Sequence, residues 1–335
     1  MNILYLIGNG FDINIGLKTR YKDFYDYYLS LDPTADNDQV KKLKSHLKAK
    51  LSSEDKYWSD LEVALGNYTT NFSSLEELEL AYNDLNDKFR DFILAVDNNK
   101  LDLSNFNIEK LRNSLAHPEN CFCRDERDRL LKFYGNWGSS DCDVKVISFN
   151  YTSTFEQLLN YQNSSIRLGI GAHHSSCAIN LSKIIHIHGK SDIPLIGLND
   201  KSQIANADLR EVIEVQEYLL KPLLNKMQGH RIDSDTLQYI KNADVICVYG
   251  LSLGRTDGMW WDAIAQTLLS KEAKLLYYAY DDEIPPYRVQ WINRMKRRWK
   301  ETFLNSTQLT EEEKKRITNK IFVVNRPTVF DICVD

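Results

Sequence analysis

Five apolar, β-prone residues (I-L-Y-L-I, 3–7) stand between Asn2 and Gly8. A run this short and continuous predicts a strand buried on both faces, as in a parallel sheet. Gly8-Asn9-Gly10 then turns the chain. Over 20–31 the pattern is helical: Tyr21, Phe24, Tyr27, Tyr28 and Leu31 share one side, with Thr19 as the predicted N-cap. Windows 39–51, 56–67, 74–98 and 107–116 keep that periodicity, and no strong strand pattern interrupts residues 36 to 140. Trp58, Leu61 and Leu65 form one apolar stripe there, flanked by Asp60 and Glu62, which face either solvent or a cleft. Strand patterns return at 144–149 (V-K-V-I-S-F), 184–187, 245–249, 274–280 and 321–325, with a short one at 194–197. Helical patterns at 155–161, 208–224 and 260–269 fall between them. A basic amphipathic helix follows around 289–299, and Thr310 with Glu313 reads as a capping box.

Strands alternating with helices predict an α/β fold: a Rossmann-like, mostly parallel sheet covered on both faces, with a large helical insertion. The core takes 1–35 and 141–335, the insertion 36–140. Composition is ordinary for a soluble enzyme-sized chain: 335 residues, 43% hydrophobic and 27% charged. A net charge of −5 argues against a generally nucleic-acid-binding surface while leaving room for a local basic patch. No apolar run approaches a membrane span, and the N-terminus lacks a basic region of the signal-peptide kind. A cytoplasmic location with free thiols is therefore expected for Cys121, Cys123, Cys142, Cys177, Cys247 and Cys333. Cys121-x-Cys123 and His173/His174 with Cys177 lack paired metal-ligand spacing, so no metal site is expected.

Ligands of open α/β sheets bind at the carboxyl ends of the strands. The predicted strands end in Gly8-Asn9-Gly10, Asn150, His188-Gly189 and the stretch 250–254, which should share one crevice. The first glycine turn serves either as a tight turn or as a backbone cradle for phosphate, with Lys18, Arg20 and Lys22 close by. His188 has the chemistry of a general base, and the neutral Asn150 can hold a ribose hydroxyl or a water. Ser252 and Gly254 offer a second backbone surface, and Asp257 can accept ribose hydroxyls. Either of Asn150 and His188 would also serve simply to satisfy backbone groups at a strand-to-helix corner.

I-G-N-G-F-D-I-N-I-G-L-K-T-R-Y-K-D-F at 7–24 resembles the opening signature of the bacteriophage abortive infection AbiH family. S-F-N-Y-T at 148–152, H-I-H-G-K at 186–190 and Y-G-L-S-L-G-R-T-D at 249–257 extend the resemblance over most of the chain. The motif order is also similar to sirtuin-like NAD-processing domains of bacterial defence proteins. That resemblance implies a sirtuin-like core in which Gly8, Asn9 and Gly10 form the phosphate turn, with Asn150 and His188 as catalytic pair. Ser252, Gly254 and Asp257 would fall in the late nucleotide loop, and NAD would be substrate or ligand with no further cofactor required. It implies an NAD hydrolase in phage defence whose partners are NAD or a related nucleotide, a second copy of the chain or another defence protein, and no membrane. Two positions depart from the sirtuin-like pattern. Asp12 stands where a small hydroxyl often ends the first motif, and Thr152 where an Asp often follows the Asn. A carboxylate near pyrophosphate is repulsive unless it is turned away or caps a helix.

Two other readings carry different chemistry. Arg112-Asn113-Ser114-Leu115-Ala116-His117 resembles the R-N-x-x-x-H motif of HEPN ribonucleases, with Arg112 to stabilise phosphorane charge and His117 to move a proton. Its bland counterpart is a helix end halted by Pro118. The chain would otherwise be a non-catalytic nucleotide sensor or interaction protein. Arg288, Arg294, Lys296, Arg297 and Arg298, interleaved with Trp291 and Trp299, either contact RNA or phosphate or pack as an ordinary amphipathic helix.

Overall fold

The computed structural model describes residues 1–52, 61–99, 101–172, 174–229, 231–254, 257–281, 283–285 and 287–334. Trp58, Asp60 and His173 of the sequence reading lie outside them. The first strand, β1 (Asn2–Ile7), alternates its side chains between two apolar layers. Ile3, Tyr5 and Ile7 enter one, and Leu4 and Leu6 the other. β1 is accordingly central. β2 (Cys142–Ser148) pairs parallel on one side, and β7 (Val245–Tyr249) pairs parallel on the other.

Outward from β2 lies β4 (Ala178–His186), parallel, and then β3 (Ile166–Ile170), antiparallel at the edge. Outward from β7 lie β8 (Lys274–Ala279) and β9 (Ile321–Asn325), both parallel. The sheet is therefore a mostly parallel, seven-stranded mixed sheet of order β3-β4-β2-β1-β7-β8-β9, and the fold is α/β. Of the short strand expected at 194–197 only Pro194 is in a strand, at the end of a separate small hairpin of β5 (Gly189–Lys190) with β6 (Ile193–Pro194), and residues 195–197 are irregular.

Helix Tyr21–Ser30 starts one residue later than its expected cap implies. Arg20 is the N-cap and its N–H donates to Asp23, while the Thr19 hydroxyl donates to Asn9. The helix expected over 208–224 is broken into Ala207–Arg210, Ile213–Leu219 and Lys221–Met227. Leu220 is extended at φ −97°, ψ 110°, and Pro222 fits only the first turn of a new helix because it has no N–H to continue an old one. Glycine-turn helix Gly10–Asn14, Arg124–Tyr134 and Ile232–Asn242 complete segments that carry weaker patterns.

The 36–140 segment splits its loyalties. Helices Asp38–Ser52, Leu61–Tyr68 and Leu75–Asn98 join Tyr21–Ser30 and residues 196–220 in a third apolar cluster, apart from the two sheet layers. Helices Ile108–Ala116 and Arg124–Tyr134 instead bury Leu111, Leu115, Leu130 and Tyr134 on the sheet. The third cluster stands over the carboxyl edge of the central strands.

Candidate functional site

Register brings the strand ends together. Ile7 pairs with Ser148 and with Tyr249, and Ser148 pairs with His186. The turns after β1, β2 and β7 and the residues after β4 consequently emerge at one edge. There the first and last turns meet backbone to backbone. Gly8 N–H donates to the Tyr249 carbonyl (2.9 Å) and Gly10 N–H to the Gly250 carbonyl (3.0 Å). A Cβ on Gly10 would lie 2.5 Å from Gly250 Cα, and Gly250 itself has φ +67°. Glycine is needed at both places for close approach and for a left-handed backbone. The N–H groups of Gly8 and Gly10 are thus already bonded within the protein.

A cavity of about 480 Å³ opens beside these turns, within the size range of small-molecule sites. Asn9 and Asp12 line it from the first turn, Asn150 and Thr152 from the second, His188 from beyond β4, and Ser252 and Asp257 from the last loop. Gly8, Gly10 and Gly254 do not line it. The Gly254 carbonyl accepts from Trp261 Nε1 (3.2 Å), and Asp257 accepts from Asn199 (3.3 Å). Tyr21, Glu62, Phe89 and Ile93 form the opposite wall. Glu62 therefore faces the cleft rather than solvent.

Asp12 is 1% exposed. Its Oδ2 accepts from the Thr152 hydroxyl (2.6 Å), which in turn accepts from the Thr154 hydroxyl (2.9 Å). Its Oδ1 is buried with no partner. Burial pushes the carboxyl up to about 6, against the Thr152 hydrogen bond that favours the charged form. The two positions that depart from the sirtuin-like pattern are therefore hydrogen-bonded partners. Here the first turn carries the carboxylate and the second the hydroxyl.

Asn150 is buried, and its Oδ1 also lacks a partner. Its backbone carbonyl accepts from His186 Nδ1 (2.8 Å), and His186 Nε2 meets Glu156 (2.8 Å), where Lys190 also binds (2.7 Å). Burial would raise the Glu156 carboxyl, but His186 and Lys190 outweigh it and hold it near 2. This tier fixes the main chain of Asn150 from behind.

His188 is buried against Phe149, ring centroids 5.3 Å apart. Burial and the Lys221 ammonium push its pKa well below the usual value, against a hydrogen bond to the Phe149 backbone. The ring is therefore neutral at physiological pH. Lys221 Nζ lies 3.2 Å from His188 Nε2 and 2.6 Å from Glu62 Oε1, with Lys221 2% exposed. Sequence reasoning did not find Lys221. Its nearest signal is the adjacent Pro222, which marks a helix start but says nothing of a buried cation.

Arg112 and His117 stand elsewhere. Arg112 pairs with Glu109 (2.9 Å), and His117 closes helix Ile108–Ala116 with its N–H on Asn113 and its Nδ1 3.3 Å from the buried Glu119. Neither lines the cavity. Lys18, Arg20 and Lys22 are exposed. Among the described residues no group of three His, Cys, Asp or Glu could hold a metal ion, and no helix is long and apolar enough to cross a membrane.

A family model described as bacteriophage abortive infection AbiH matches residues 4–279, a span that runs from β1 through β8 and includes every cavity-lining residue. No curated protein matches the chain.

Proposed function

The chain belongs to the bacteriophage abortive infection AbiH family, and from that premise we propose that its strand-end cavity hydrolyses NAD at the bond between nicotinamide and ribose. The observation that carries the reading is the pair of buried, partnerless oxygens, Asp12 Oδ1 and Asn150 Oδ1, on residues of one cavity wall. Buried acceptors without donors are costly, and both residues border the cavity, where a small side-chain rotation would turn these oxygens to the hydroxyls of a ribose or an attacking water. Charge supports the cationic end of the substrate. Asp12 and Asp257 line the cavity, as does Glu62, whose charge Lys221 already meets, and no Lys or Arg is among its described lining residues. A positively charged nicotinamide suits such a wall. The sirtuin-like motif order supplies the rest of the analogy.

In this mechanism the bond between C1′ and the ring nitrogen breaks, and its electron pair leaves with nicotinamide, which becomes neutral. The ribose becomes oxocarbenium-like, and because the leaving group is already cationic no general acid is required. Asn150 orients the water that bonds to C1′. The water's proton passes to Asp12, whose raised pKa of about 6 suits a base working near neutral pH. Products are nicotinamide, ADP-ribose and a proton. His188 is neutral, and with Nε2 on the Lys221 ammonium and the ring bonded to the Phe149 backbone it shapes the cavity wall and leaves proton transfer to Asp12. In an infected cell the reaction would deplete NAD and halt growth.

The test is the NAD level in cells challenged with phage, paired with turnover of purified protein. Wild type is expected to lower NAD. Asn150→Ala and Asp12→Asn should each cut the rate by on the order of 10²-fold or more. His188→Ala should weaken it, and His117→Ala should leave it unchanged. With the purified protein, kcat/KM should rise with pH through about 6 and then level. Protection with unchanged NAD would sink the proposal.

A further inference from the structure

A second cavity, of about 460 Å³, lies against helix Val289–Asn305 on the far flank of the same sheet edge. Trp291, Met295 and Trp299 recur every four residues along its floor, and Arg294 and Arg298 stand beside them. About one turn of helix separates neighbours, so the apolar row spans about 12 Å and the two guanidinium groups beside it stand about 6 Å apart along the axis. Asp281, just beyond β8, closes one end, and its Oδ1 accepts from Glu283 N–H (3.1 Å).

The apolar row of this helix runs on into the core: Met295, Phe303 and Leu304 are buried in the sheet layer with Trp299 packed against it, and Lys296 is bonded to Glu126 (3.0 Å). Arg294 and Arg298 differ: among the described residues neither has a carboxylate partner. Trp291 is 48% exposed, and Arg288 stacks on it at 4.4 Å from the ring centroid. Trp299 is held rigid by stacking on Tyr277 (5.1 Å, 28°). Tyr280, Tyr287 and Val289, near these residues in sequence, are exposed as well. Burying rings that stand in solvent would be favourable, yet the arginines between them disfavour an apolar protein partner.

We propose that this groove binds single-stranded nucleic acid, bases stacking on Trp291 and phosphates meeting Arg294 and Arg298. Stacking platforms interleaved with cations are the means by which single strands are held without sequence reading. The chain as a whole carries a net charge of −5, so affinity for a polyanion has to come from a local basic row such as this one. The inference uses no residue of the NAD cavity and stands apart from its chemistry.

The test is fluorescence anisotropy of the full chain with labelled single-stranded RNA and DNA of roughly 12 nucleotides, within the usual range for such sites. Binding should weaken with salt, log K falling by about 0.7 per phosphate contacted for each decade of salt. Arg294→Glu with Arg298→Glu should cost more than tenfold and reduce that slope by about 1.4. Trp291→Ala should cost about 5- to 150-fold, and Trp291→Phe should keep most of the affinity. These side chains are exposed, so folding should survive, which circular dichroism checks. Any of four results would overturn the proposal: no binding at low salt, an equal loss in a Lys41→Glu/Lys42→Glu control, duplex bound as tightly as single strand, or full competition by free AMP.

Discussion

Asp12 shows how a single residue can be read from its cost. A carboxyl raised from 3.8 to about 6 binds a proton more readily folded than unfolded. Its contribution to stability is therefore complete below about pH 4 and is lost as pH rises through about 6. A shift of roughly two pKa units corresponds to about 3 kcal/mol at neutral pH. The fold tolerates a charge there that it would be more stable without, and such groups collect at working sites. Asp12→Asn keeps an acceptor for the Thr152 hydroxyl and removes the charge. It should raise stability at pH 7 by about 1–3 kcal/mol and flatten the dependence between pH 4 and 6, as read by urea unfolding across pH. Equal or lower stability for the variant at pH 7 would mean that Asp12 is not strained by its burial. Lys221 is the complementary case. A cation 2% exposed is held by Glu62 and faces His188, and removing one member of such a pair leaves the other charge buried and uncompensated.

At the scale of elements, the turns after β1 and β7 behave as one unit. Gly10→Ala would place a Cβ 2.5 Å from Gly250 Cα and 3.2 Å from its carbonyl oxygen, backbone atoms that cannot rotate away. A cost of about 1–3 kcal/mol is expected, as for overpacking, with a lowered denaturation midpoint. Gly258→Ala, where a Cβ meets nothing within 4 Å, is the control and should stay within about 0.5 kcal/mol. If both behave alike, the two turns do not constrain each other. The same elements mark what a sequence discloses. β1, β2, β7, β8 and β9 are apolar β-prone runs buried on both faces, so their strand character stands out. β3 was missed because an antiparallel edge strand with Arg167 exposed and Gly169 in its middle carries little pattern. The first half of β4 was missed for a similar reason, its Asn180 and Ser182 breaking the apolar run. The polar residues at strand ends were legible because the parallel sheet dictates where they must gather. Lys221 was not, since only the folding of the 196–220 segment onto the third apolar cluster carries it to His188 and Glu62.

For the whole molecule, the decisive fact is that the cavity lies between two packed bodies rather than inside either. Asp12, Asn150, His188 and Gly250 belong to the sheet, while Tyr21, Glu62, Phe89 and Ile93 belong to the helices above it. Polar ties cross between them. Lys221 is one, and Asp97 is another: it accepts from Ser153 N–H (2.7 Å) and from the Ser191 hydroxyl (2.6 Å) at the end of helix Leu75–Asn98. A ligand that fills the space becomes a further tie and, binding only the folded chain, stabilises it by mass action. At about 100 times its Kd the gain is about 2.7 kcal/mol. At roughly 1.4 °C per kcal/mol for a chain of this size, that is a rise in Tm of about 4 °C. Asp12→Asn is the form to use, because it should bind NAD without consuming it. Hydrogen exchange should then slow on both sides together, in helix Leu75–Asn98 and in the turns after β1, β2 and β7. A Tm indifferent to NAD up to millimolar concentration would remove NAD as the occupant. A Tm that rises with protection confined to one side would place the ligand outside this cavity, and the two carboxyl-lined walls would then need another reason to face each other.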